Sequence, residues 1–378
     1  MQYLRYILST LLMAAITGCG NPIEQQLQRA VVANKTATSL LEWELSPSNP
    51  ELLFAQWREE SRKSPENQKT LQKQICDKLR SMDGLSLTIF EQAIKEEANR
   101  SLVMDCKGDL LAQLERHYAA ERSTLKVQVN ALKPTDSGNN FQFPTNVQTR
   151  DTSKGYYARA GDVAPKEVIL SFDDGPSSEY TPSILRTLKE VNAKAHFFEL
   201  AKNVRRHPDV TKMVAADGHA IGTHSISHRC LASTPVCSRL NQGKLLSFDD
   251  AVAEIRGGHQ SVFDVLGWVE PFFRFPYGED SLPLKNFLAI NSTAQFAWNI
   301  DSEDWRAQTN EEILKKTLAQ IDETKRGIVL FHDIQRRTAE ILPQFLRELY
   351  NRGYSVVLLQ PADPSVRFNS KLVKKPLP

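Results

Sequence analysis

From residue 168 onward the chain repeats one pattern: a short apolar run, a polar break, then a stretch of helical length and periodicity. The apolar runs fall at 168–172, 196–200, 220–222, 272–275, 296–300, 327–331 and 355–359. Helical patterns at 181–190, 248–266, 310–324 and 338–352 lie between them. Brief apolar runs bounded by turn residues read as buried strands, and amphipathic stretches of ten or more residues read as helices. Strands that alternate with helices build a parallel sheet, either an α/β barrel or a doubly wound sheet. In both, the carboxyl ends of the strands converge on one rim, where ligands and chemistry collect.

The residues at those ends are the second constraint. The first run leads into Ser171-Phe172-Asp173-Asp174-Gly175-Pro176. Successive side chains of a strand point to opposite sides, so one carboxylate is placed to bind a metal while its neighbour stays free to take a proton. His224 and His228 are four residues apart, a spacing that on one helical turn puts both imidazoles on one face. With Asp174 they form a His₂Asp set that leaves positions open for water and substrate, the donor set of a hydrolytic metal centre. Arg274 ends the next run within Arg274-Phe275-Pro276-Tyr277-Gly278. Asp304 and Trp305 follow the run through Ile300, and Leu330 leads to His332. Singly, Arg274 reads as a surface ion pair, and Trp305 and His332 as core residues; together at successive strand ends they point to one site. His219 and His196 read as a turn brace and a core histidine, His259 is a third histidine outside the motifs, and His117 and Trp43 read as packing or surface residues.

These motifs, with Tyr180-Thr181-Pro182, Gly218-His219 and Gly353-Tyr354 around them, resemble in order and spacing those of the NodB-type polysaccharide deacetylases, carbohydrate esterase family four. The likeness spans residues 164–362. It implies a distorted (β/α) barrel with fewer than eight units and metal-dependent removal of N-acetyl groups from glycans. By the resemblance, Asp173 is the general base, and Asp174, His224 and His228 hold the metal. Arg274 holds Asp173, the Tyr277 N–H helps stabilise the oxyanion, and His332 is the general acid, oriented by Asp304. Trp305 and Leu330 line the pocket for the acetyl methyl. Zinc is the first choice of metal, with cobalt, nickel or manganese also compatible with the donor set. Ser171 stands where the family more often has Thr, and Phe275 where it often has Pro. A segment bracketed by Cys230 and Cys237 follows the second histidine at once and is expected to reshape the rim of the groove.

The first half of the chain has a different texture. Arg5, the apolar segment 6–16 and then Ile16-Thr17-Gly18-Cys19 read as an export signal. Those last four residues resemble a bacterial lipobox, with Cys19 as the lipidated residue of a periplasmic protein, leaning to the outer membrane. Export makes disulfides permissible. Cys76, Cys106, Cys230 and Cys237 allow three pairings; nearness in the chain favours Cys76–Cys106 and Cys230–Cys237, and four free thiols are the alternative. Residues 19–125 read as a helical bundle with first turns at Pro50 and Pro65, capped by Asn49 and Ser64. Leu125, Val127 and Val129 alternate like a strand. Residues 126–163 read as a linker packing on the barrel and 363–378 as a basic, frayed tail.

A net charge of +2 gives no reason to expect a nucleic-acid partner. The expected partners are a glycan polymer, peptidoglycan first, and a membrane through the lipid anchor. Exopolysaccharide or chitin oligomers, O-acetyl ester hydrolysis and a catalytically silent cell-wall-binding module are the alternatives.

Overall fold

The computed structural model describes residues 50–63, 65–131 and 141–374. The signal segment with Cys19, and Trp43, Asn49, Ser64 and Lys375, lie outside the described residues. The chain divides into two compact units, one comprising residues up to Asp83 together with Ala93–Leu110, the other Gly84–Gln92 together with everything from Leu111.

The first unit is helical, and its helices Pro50–Ser61 and Pro65–Arg80 begin at their prolines. Proline suits a first turn, because its fixed φ is helical and no amide hydrogen is missed there. Phe54, Trp57, Ile75, Leu79, Leu102 and Val103 are buried in this unit. Cys76, within the second helix, is bonded to Cys106, just before the helix Lys107–Ala131. That helix overturns the expected strand at Leu125–Val129. Three alternating apolar residues do not end a helix in which no proline intervenes before Pro134.

The second unit is a curled parallel sheet of β2 (Tyr157–Ala158), β3 (Glu167–Asp173), β4 (Ala195–Glu199), β5 (Ala220–Thr223), β6 (Phe272–Phe273), β7 (Ala294–Phe296), β8 (Ile300–Asp301) and β9 (Gly327–His332). The order across it is β2-β7-β6-β5-β4-β3-β9-β8, and β10 (Ser355–Val356) pairs with β3 beside it. The edges β2 and β8 do not pair with each other, which makes this a distorted, open (β/α) barrel, as the resemblance implies. A separate parallel pair joins β1 (Val147–Arg150) to β11 (Leu358–Pro361). Strands β1 and β2 fall in the expected linker. They were illegible because β1 is half exposed and β2 has only two residues, so neither shows an apolar run.

Alternation along the strands creates two cores. Val168, Leu170 and Phe172 of β3 and Val329 and Phe331 of β9 face outward into the layer of helices. Ile169 and Ile328 face the barrel interior with Phe198, Phe272 and Phe296. Next along the inner face come Ser171 and Leu330, then Asp173 and His332, which are register partners. The period of two thus aims the last residues of β3 and β9 into the mouth of the barrel. The helices Thr181–Glu190, Phe248–Leu266 and Asn310–Thr324 occupy the ranges expected from periodicity. The last is fixed at its start by a capping box between Thr309 and Glu312. The expected frayed tail is instead packed through residue 373: Leu372 and Val373 are buried, and Arg367 pairs with the buried Glu270 at 2.8 Å. Its lysine-rich composition hid two apolar residues and one buried ion pair.

Candidate active site

Asp173, Asp174, His224, His228, Arg274, Asp304 and His332 converge at the carboxyl rim. Arg274 is fully buried, and its Nη1 donates to Asp173 Oδ1 at 2.6 Å and to Ser171 Oγ at 3.0 Å. Its other branch donates to the Ala297 carbonyl at 3.2 Å, and the guanidinium lies 4.2 Å from the Phe198 ring centre. Arg274 thus holds Asp173 from within the fold, and the alternative of a surface ion pair does not apply. Burial pushes the Asp173 carboxyl up to about 6, against the opposing pull of Arg274 and His332. That places it in the range of a group able to accept and release a proton near neutrality.

Asp174 Oδ1 lies 3.7 Å from His224 Nε2 and 3.4 Å from His228 Nε2. One donor atom from each of these three residues falls within 4.8 Å of the others. His224 Nδ1 is engaged with the Arg274 carbonyl at 2.8 Å, which sets Nδ1 as the protonated nitrogen and turns the Nε2 lone pair toward Asp174. Burial drives His224 down to about 4, so the imidazole is neutral, as a metal ligand must be. Burial opposes ionisation of Asp174, but the surrounding imidazoles outweigh it and hold the carboxyl at about 2. Among the described residues, its buried Oδ1 has no hydrogen-bond donor. A buried carboxylate acceptor with no such donor, facing two imidazole nitrogens at 3.4 and 3.7 Å, fits a divalent metal together with them by donor type, charge and spacing.

The histidine pair does not sit on a helical turn, contrary to expectation. Residues 224–228 form a loop after β5, with Ser225 at φ 77° and His228 at φ 64°. Glu254, from the helix Phe248–Leu266, holds this loop by accepting from the Ile226 N–H, the Ser227 N–H and the Ser227 hydroxyl at 2.9, 3.0 and 2.8 Å. Ser225 Oγ accepts the His228 N–H at 3.1 Å. Nothing in the sequence marks Glu254, a carboxylate in the middle of an amphipathic helix. Asp174 is likewise in the left-handed region, at φ 72°, which turns its side chain away from that of Asp173. Asn203 Nδ2 secures the Asp174 carbonyl at 2.6 Å. Glycine is required next, because a Cβ on Gly175 would lie 2.2 Å from the Asp333 carboxylate.

On the neighbouring strand β9, His332 Nε2 lies 4.0 Å from Asp174 Oδ2. Its Nδ1 and its backbone N–H each meet the fully buried Asp304 carboxylate at 2.7 Å. Thr338 donates to the same carboxylate, and Arg337 Nη2 donates to the Asp304 carbonyl at 2.9 Å. Burial disfavours the imidazolium, but Asp304, then Asp174 and Asp173, raise His332 to about 10. Tyr277 occupies a tight turn, Pro276–Gly278, at φ 63°, and its ring meets the His228 ring edge-on at 4.5 Å. Leu330 is buried two residues before His332 on the same strand face, and Trp305 is half-buried in the turn after Asp304.

The other histidines stand apart from this cluster, as expected. His219 Nδ1 accepts the Ala195 N–H at 3.1 Å. His196 is buried in the barrel interior, its Nε2 3.1 Å from the Leu359 carbonyl. His259 Nδ1 lies 2.8 Å from Thr223 Oγ1. The favoured cysteine pairing is also the one observed, Cys76–Cys106 and Cys230–Cys237.

A parallel barrel with a carboxylate, a three-residue cation cradle and a carboxylate-paired imidazole around one mouth defines a class of hydrolase-type (β/α) proteins. The chain belongs to the polysaccharide deacetylase family, whose sequence model matches residues 160–295. A peptidoglycan-N-acetylglucosamine deacetylase of Bacillus cereus is 33% identical over 201 residues, 50% of this chain and 67% of that protein. The corresponding enzyme PgdA of Listeria monocytogenes is 32% identical over 234 residues, 62% of this chain but 45% of that protein, so the chain spans about half its length. Among solved structures, a Bdellovibrio bacteriovorus peptidoglycan deacetylase superposes with a TM-score of 0.76 at 52% identity, covering 94% of this chain and all of that one.

Proposed function

We propose that the protein is a metal-dependent hydrolase that removes N-acetyl groups from N-acetylglucosamine in peptidoglycan. The observation that carries this reading is the placement of a proton acceptor, Asp173, 3.8 Å from His224, and a proton donor, His332, 4.0 Å from Asp174, beside the Asp174–His224–His228 cradle. The names of the relatives, each a peptidoglycan deacetylase, support the substrate.

An amide is a poor electrophile and its amine a poor leaving group, so hydrolysis needs a proton removed from water and another delivered to nitrogen. Asp173, kept in place by Arg274, takes the first. His332 delivers the second as the carbon–nitrogen bond breaks, and its Asp304 partner keeps it protonated until then. Without that proton the tetrahedral adduct would expel hydroxide and revert. The Tyr277 N–H donates to the developing oxyanion. Trp305 and Leu330 exclude water around the acetyl methyl. A divalent metal, zinc first, held by Asp174, His224 and His228, would polarise the acetyl carbonyl and acidify water.

The protein works, on this reading, outside the cytoplasm, tethered at Cys19 and facing the periplasm, where two disulfides persist and peptidoglycan is within reach. The test is acetate release from muropeptides and from N-acetylated chito-oligomers, with zinc supplied. Faster release from muropeptides is expected. Release from chito-oligomers alone moves the substrate, and no acetate from any glycan removes the enzymatic reading.

A further inference from the structure

The segment closed by Cys230–Cys237 follows a metal-binding histidine without a break, and its buried face is turned toward the site. Cys230, Ala232 and Cys237 form a small apolar cluster against which Tyr277 packs. The Tyr277 ring in turn packs on the His228 imidazole, with 4.5 Å between centres and 63° between planes. A second tie runs alongside: Thr234 Oγ1 donates to Glu279 Oε2 at 3.0 Å, at the end of the Tyr277 turn. Within the segment, Thr234 caps the helix Pro235–Leu240 by accepting the Cys237 N–H. Asn241 spans its base, donating to the Cys230 carbonyl at 2.6 Å and accepting the Cys230 N–H at 3.2 Å.

Building on the metal-hydrolase reading above, we propose that the Cys230–Cys237 segment is a positioning element for the metal site, holding the Tyr277 turn so that its ring fixes the His228 imidazole. The backbone explains why a brace is needed. His228 and Tyr277 are both non-glycine residues in the left-handed region, at φ 64° and 63°. Such residues are strained and persist only where their surroundings over-determine them. Glu254 over-determines the first half of the histidine loop. The second half, which ends at His228, meets the Tyr277 ring, and the disulfide-closed cluster backs that ring from the other side. The disulfide removes freedom from this segment at the point where such freedom would reach a metal ligand. Its role is therefore not confined to the shape of the groove.

The test uses the apoprotein with cobalt(II) as the probe, because its visible bands report ligand geometry independently of turnover. Partners that orient a ligand typically change metal affinity or activity 10–100-fold. The double substitution Cys230→Ser/Cys237→Ser is expected to weaken cobalt binding about tenfold or more, to alter the visible bands, and to lower kcat more than it raises KM. Cys76→Ser/Cys106→Ser removes the other disulfide as a control and is expected to lower thermal stability while leaving the cobalt spectrum unchanged. If the brace acts through the ring, adding the cysteine pair to Tyr277→Ala costs little beyond Tyr277→Ala alone, since residues in one chain of contacts are non-additive. Should the cysteine variant fail to fold, Thr234→Val keeps the disulfide, removes the segment's helix cap and its tie to Glu279, and is expected to change the spectrum in the same direction.

Wild-type cobalt affinity and bands in the cysteine variant, or in Thr234→Val where that substitutes for it, overturn the inference. So does full additivity with Tyr277→Ala, and so does a rise in KM with no change in the bands, which would mark a groove wall. Failure of the wild-type protein to take up cobalt would instead overturn the metal reading, and this inference with it.

Discussion

Replacing Asp304 with Asn tests the proton donor most directly. The carboxylate contributes two contacts of 2.7 Å to His332, one to Nδ1 and one to the backbone N–H, in a fully buried setting. Hydrogen bonds to a charged partner are worth about 1.5–3 kcal/mol, and 1.36 kcal/mol corresponds to one pKa unit. An amide keeps the shape and a weaker bond but loses the charge, so the His332 pKa is expected to fall by about 1–2 units. The starting value is raised, to about 10. The imidazolium therefore adds stability that is fully present below the ordinary histidine value and is lost as pH rises through 7 toward 10. Two measurements follow. Long-range nitrogen–proton NMR on the metal-free protein should show His332 titrating lower in the variant. Urea unfolding should show a stability gap between wild type and variant that narrows from pH 7 to pH 10. In the metal-loaded protein, the alkaline limb of kcat/KM for acetate release should move down in step. An unshifted His332 titration would refute the assignment of Asp304 as the group that keeps the donor charged.

Asp174→Asn should abolish stoichiometric zinc binding, whereas Asp173→Asn should retain the metal and lose turnover; equal metal content and activity in the two would contradict the division of roles. Arg274→Leu strands the buried Asp173 carboxylate, a change of the kind that costs about 3–5 kcal/mol, so urea unfolding should show a large loss of stability at pH 8 that shrinks at pH 5, where Asp173 is neutral. Glu254→Ala leaves the three donors of the histidine loop without their acceptor and should weaken zinc binding about 10-fold or more, read by chelator competition; unchanged affinity would mean that the loop holds itself. Cys19→Ala should move the protein from the membrane fraction to the soluble one after cell fractionation, and continued membrane association would exclude a lipid anchor at that residue.

Some of this was legible because the signal was local. Asn310–Thr324 has an apolar face and a Thr309–Glu312 capping box, and Phe248–Leu266 begins after Ser247 and ends at Gly267 in a left-handed cap. Caps and periodicity are read by the chain from its own neighbours, so those helices follow from the sequence. Strand ends were legible for the same reason, since apolar runs stop at Gly175-Pro176 and before Arg274, and alternation alone sends Asp173 and His332 inward. Where the pattern was short or polar, tertiary context decided. The tail is held by Arg367 on Glu270, β1 is paired by β11, and β2 by the barrel strand β7.

The sequence by itself determined which residues can do chemistry here, because carboxylate, imidazole and guanidinium groups recur at the ends of successive apolar runs. It also pointed to a parallel sheet, since helical stretches alternate with several of the apolar runs. Only the tertiary structure decided how those groups are tuned. The His224–His228 spacing suggested a helix, and the fold made it a strained loop secured by Glu254 and by the Tyr277 ring. Asp173 and Asp174 are chemically identical neighbours. One is raised by burial with Arg274 opposing, and the other is lowered by imidazoles, because they face different surroundings. The physical reason is that the charge state of a buried group is set by what surrounds it within a few ångströms, and those neighbours come from strands and helices far away in the chain.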